Sequence, residues 1–126
     1  MEIDHVQTES SSLAAFGIEA ARLLVAGNIH ALVEQFGYAR AVGRDGVDAV
    51  RADLAATLAE LGEKTVVSAF SQEPRVTYYE GNPTGLFALV ECLVPTESGK
   101  SLLLELIVTT DSRSTHITLE DISSAV

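Results

Sequence analysis

Near Lys64 the apolar residues change period, and that change divides the chain into a helical first half and a sheet-forming second half. Upstream, Leu13, Phe16, Ala20, Leu23 and Leu24 lie on one helical stripe that follows Ser10-Ser11-Ser12 and stops at Gly27, which predicts a first helix over 12 to 26. Asn28 is placed to cap a second helix, in which Ile29, Leu32, Val33 and Phe36 recur at i, i+3, i+4 and i+7 before Gly37. Tyr38 to Val42 reads as a short strand, and Gly43 to Gly46 as a turn. Asp45 with Asp48 then forms a relaxed capping box for a third helix, whose face is Val47, Val50, Leu54, Leu58 and Leu61 and whose stop is Gly62.

Downstream, β-branched and aromatic residues gather in runs separated by turn chemistry. Strands are predicted near 64 to 80, 85 to 95, 101 to 110 and 115 to 124. Their connections are Gly81-Asn82-Pro83-Thr84, Ser98-Gly99 and Ser112-Arg113. Pro74 requires the first of these strands to bend, bulge or lie at an edge. Residues 1 to 9 read as an N-terminal arm and 10 to 126 as one α+β domain. With such short connections the helices bury their stripes only by packing on one face of a curved antiparallel sheet.

A chain of 126 residues, 47% hydrophobic and 21% charged, suits a single core. The longest apolar runs are too short to span a bilayer, and the N-terminus is acidic where a secretory signal is basic, so a cytoplasmic protein away from membranes is expected. A lone cysteine, Cys92, excludes an internal disulfide and reads as a small buried apolar side chain. Eighteen acidic against 8 basic residues leave a net charge of -10, which repels phosphate backbones and argues against nucleic-acid binding. That acidity serves solubility, or else a basic protein partner.

The order of helix, Gly27-Asn28, short helix, short strand, capped helix and long strands ending in Ile117-Thr118-Leu119-Glu120-Asp121-Ile122 resembles the nuclear-transport-factor-2-like cone family of the cystatin-like fold. The likeness covers about residues 10 to 126, and a cystatin-type sheet wrapping its helices reads similarly. It implies a cone-shaped sheet, and sheet-to-sheet homodimers are common in that family. Ketosteroid isomerases, similar in fold, need a tyrosine on the first helix and an acidic base on the short strand, and this chain has neither. Polyketide-cyclase-like members carry an acidic base on a late strand, where Asp121 stands here.

Two-residue loops at Ser98-Gly99 and Ser112-Arg113 would pair Glu97 with Lys100, Glu91 with Leu106, and Leu106 with Leu119. Leu104 would then oppose Asp121. One face of the sheet becomes Phe87, Leu89, Glu91, Leu93, Leu102, Leu104, Leu106, Val108, Ile117, Leu119 and Asp121, an apolar inner face holding two carboxylates. The other, with Ala88, Val90, Cys92, Val94, Leu103, Glu105 and Ile107, is too apolar to stay wetted, so a homodimer through it is expected. One more residue in either loop inverts these faces.

Tyr38, Arg40, Glu91 and Asp121 are therefore the expected polar groups of a pocket, with Asp121 and Glu91 the candidate catalytic bases. The plainer alternative leaves each carboxylate at a cavity mouth, hydrated or paired with Arg40. Tyr78 and Tyr79 point to opposite faces and read as packing. His30 and Glu34 lack a third ligand at a recognisable spacing, so no metal site is expected, and no cofactor-binding loop is present in the sequence. Three functions stay open: a cone binding a small apolar ligand, an isomerase, cyclase or dehydratase using a cavity carboxylate, and an acidic protein-interaction module.

Overall fold

Small residues decide how the first helix meets the sheet. The computed structural model describes residues 1–67, 72–81 and 84–125. Helix α1 (Ser10–Val25) buries Leu13, Gly17, Ala20, Ala21 and Leu24. Gly17 lets it lie so close to the sheet that a Cβ there would sit 2.6 Å from Cys92 Sγ. The helix ends at Gly27, whose φ of 75° is open to glycine, with the Asn28 N–H donating to the Leu23 carbonyl. Asn28 Oδ1 then accepts from the Ala31 N–H, starting α2 (Ile29–Phe36). Asp45 accepts from the Asp48 N–H at 3.1 Å and starts α3 (Gly46–Leu61), as its capping box predicts.

Between α2 and α3 the expected short strand is a single parallel bridge, Tyr38 to Leu119, followed by a 3-10 turn at Ala39–Ala41. The turn closes because Tyr38 and Ala41 carbonyls accept from Ala41 and Arg44 N–H groups, leaving no run of groups for a ladder.

Five antiparallel strands follow the order β1-β5-β4-β3-β2: Glu2–Ile3, Arg75–Tyr78, Leu86–Pro95, Ser101–Thr110 and Thr115–Ser124, numbered along the chain. The N-terminal arm supplies β1, pairing Glu2 with His116 and Ile3 with Thr115. Of the strand expected over 64 to 80, the described residues form β2 and a bridge of Val66 to Thr96, while 68–71 lie outside them. The same holds for Asn82-Pro83 of the expected turn. Pro74 precedes β2, where its missing N–H breaks no ladder bond.

Two registers correct the predicted faces. Thr96, not Glu97, takes the Lys100 carbonyl, so the β3–β4 loop is one residue longer than two and Glu91 pairs with Glu105. Lys100 Nζ, donating to the Leu61 carbonyl at 2.7 Å, ties that loop to the end of α3. The β4–β5 turn is the two-residue Ser112-Arg113 loop, with Asp111 Oδ1 accepting from the Arg113 and Ser114 N–H groups. Leu106 opposes Leu119 as expected, but a bulge beside Glu105 then pairs Leu104 with Ile122 and Glu105 with Asp121. The face against the helices is therefore Ala88, Val90, Cys92 and Val94 with Leu102, Leu104, Leu106, Val108, Ile117, Leu119 and Ile122, all buried. Glu91 and Asp121 stand on the other face.

Candidate functional site

The turn after α2 sets the first polar cluster. Tyr38 is buried, and its hydroxyl donates to Asp53 Oδ2 of α3 at 2.6 Å. Arg44 pairs with Asp53 Oδ1 at 3.3 Å and donates to the Arg40 carbonyl at 2.6 Å. Arg40 Nε meets Asp121 Oδ1 at 2.9 Å. These groups border a surface hollow of about 400 Å³ lined by Arg40, Arg44, Asp53, Thr57 and Asp121.

The hydrogen bond from Arg44 holds the Asp53 carboxyl below its ordinary range. Burial, then the bond to Asp53, pushes the Tyr38 hydroxyl far above its ordinary value. Tyr38 is thus a fixed donor and Asp53 a fixed acceptor, and the cluster reads as a clamp from turn to helix to strand. Asp53→Ala should cost about 1–3 kcal/mol in urea unfolding at neutral pH, because the tyrosine hydroxyl loses its acceptor. Since the folded value lies below the ordinary 3.8, the wild-type advantage is complete above that pH and is lost as pH falls through the folded value.

The structure brings Tyr38, Arg40 and Asp121 together and leaves Glu91 apart, on β3. Sequence reasoning missed Asp53 and Arg44. The available signal was Asp53 itself, three residues after buried Val50 and four before buried Thr57, a carboxylate bordering an apolar stripe.

The second cluster crosses the outer face. Arg75, Glu91, Glu105 and Asp121 are successive register partners on β2, β3, β4 and β5. Arg40 closes the row at Asp121, while Glu91 and Glu105 have no hydrogen-bond or ion-pair partner among the described residues. Burial, then the charges of Asp121, Glu91 and Glu120, raise the Glu105 carboxyl above its ordinary value. A raised carboxylate favours the protonated folded state, so its burden appears as pH rises through the folded value and is absent below the ordinary 4.5. Glu105→Gln should accordingly stabilise the chain by about 0.5 kcal/mol at pH 7 and leave it unchanged at acid pH, read by paired denaturation curves.

Beside this row a hollow of about 500 Å³ is lined by Gln72, Glu73, Arg75, Glu91, Leu93 and Leu103. Among the described residues no group of three or more His, Cys, Asp or Glu is placed to hold a metal ion. No helix among them is long and apolar enough to cross a membrane.

Fold and clusters together define an α+β protein with three helices on one face of a five-stranded antiparallel sheet and a charged row on the other. No family model, curated protein or solved structure matches the chain.

Proposed function

We propose that the chain is a non-catalytic protein-binding domain on a nuclear-transport-factor-2-like cone, working through the outer face of its sheet. The observation that carries this reading is the burial of the core among the described residues. Leu13, Leu32, Phe36, Leu104 and Leu119 are at most 1% exposed, and none of them lines the hollows of about 290 to 500 Å³ found along the surface. A small apolar ligand is held in a concave, mostly apolar pocket, and the hollows beside Glu91 and Asp121 are lined mainly by polar groups. Here Glu91 stands on the outer face and Asp121 is answered by Arg40. Three helices followed by an antiparallel meander support the family likeness, while the short strand of that order is here a single bridge and a 3-10 turn.

Self-association through the same face is a second reading, favoured by Leu93, 40% exposed there. The net charge of -10 works against it at neutral pH. Fragment titrations followed by amide NMR shifts test the main reading. Saturable shifts should centre on Glu91, Leu93 and Leu103. Shifts centred on Leu32, Phe36 and Leu104 would overturn it in favour of an interior ligand.

A further inference from the structure

We propose that the outer sheet face docks a basic amphipathic helix of a partner protein, laid across the strands along the carboxylate row. This rests on the outer-face reading above and names its partner. Three parallel rows of register partners make the face. In the middle run Arg75, Glu91, Glu105 and Asp121. On one side Leu93 faces Leu103, and on the other Leu89 faces Ile107.

Adjacent strands lie about 4.8 Å apart, so the row offers one carboxylate per about 4.8 Å. A helix rises about 5.4 Å per turn, so one Lys or Arg per turn meets successive carboxylates. An extended peptide places same-side residues about 6.7 Å apart and falls out of step. The flanking rows lie two residues along each strand, about 6.7 Å from the centre, within the about 10 Å width of a helix. Apolar residues on both sides of a basic stripe would therefore reach Leu93 and Leu103 on one flank and Leu89 and Ile107 on the other.

Charge complementarity selects this occupant over a second copy. From Arg75 through the three carboxylates to Arg40 the row reads plus, minus, minus, minus, plus. That order is the same in both directions, so a two-fold dimer centred on the row lays Glu105 over Glu105 and cation over cation. A cationic helix instead answers Glu91 and Glu105, the two carboxylates of the row without a hydrogen-bond or ion-pair partner among the described residues.

The test is fluorescence anisotropy of the whole chain with a labelled synthetic helix of about twenty residues, carrying one arginine per turn along one face and leucines on both flanks. A peptide of the same composition with the arginines scattered round the helix is the control. The patterned peptide should bind about tenfold tighter than the control, weaken with added salt, and weaken roughly threefold with each of Glu91→Gln and Glu105→Gln. Equal binding of the two peptides overturns the proposal, as does dimerisation at neutral pH that Leu93→Asp abolishes, which would make a second copy the occupant. If the patterned peptide fails while fragments still shift Leu93 and Leu103, the helix is wrong and the outer-face reading survives. If neither binds, both fall.

Discussion

Gly17→Val is expected to lower stability by about 3 kcal/mol or more, enough to leave a marginal domain partly unfolded. The cause is the contact between α1 and β3. An added Cβ would lie 2.6 Å from Cys92 Sγ, 2.9 Å from Val90 Cγ1 and 3.3 Å from Pro74 Cβ. Both Val90 and Cys92 are buried, and valine adds two methyl groups beyond the Cβ in a layer that has no room to receive them. Gly17→Ala isolates the first atom of this clash, and its overpacking is offset in part by the about 1 kcal/mol helix preference of alanine over glycine. Removing the sulfur should relieve it, so the Gly17→Ala, Cys92→Ala pair should lose less than the two single losses added together. Denaturant unfolding of the four proteins checks this. A valine variant within about 1 kcal/mol of wild type would mean that α1 does not lie this close to β3.

Phe36→Ala is expected to cost about 3–5 kcal/mol. Phe36 is 1% exposed at the end of α2 and meets Phe16 edge to face, ring centres 6.5 Å apart. Its removal takes from a two-turn helix the largest fully buried side chain among the described residues, leaving Ile29 and Leu32 to hold it. The variant also bears on function. A dry apolar cavity of that size admits a benzene-like molecule. Wild type should therefore show no saturable interior binding of benzene by NMR, and the variant, if it stays folded, should acquire it. Interior binding by wild type would revive the small-ligand reading.

Much of the fold is legible locally. The caps at Asn28 and Asp45 and the stop at Gly62 start and end their helices where their chemistry predicts. Strand β4 buries Leu102, Leu104, Leu106 and Val108 as its alternation requires, and the Ser112-Arg113 turn sets the near half of its pairing with β5. The candidate site is legible only in part. Tyr38, Arg40 and Asp121 do gather, but where the turn after α2 meets β5 and α3, with Arg40 paired directly to Asp121 and Tyr38 held through Asp53 and Arg44.

The two register errors share one cause, which the sequence already contained. The predicted register put Glu91 and Asp121 into an apolar layer, where an unpaired carboxylate costs several kcal/mol. The alternative register, one residue away, buries Val90, Cys92 and Ile122 instead. Weighing that desolvation would have favoured the longer loop at β3 and a slip somewhere in β5.

By itself, then, the sequence determined which segments are helical, which are extended and where most of them stop, because periodicity and capping act over a few neighbouring residues. The tertiary structure decided at which loop residue and at which bulge β3 and the end of β5 turn over. One loop residue and one bulge turn every side chain beyond them over, and Lys100 on the end of α3 and Arg40 on Asp121 hold them there. Those contacts join residues far apart in the chain, so no local pattern encodes them.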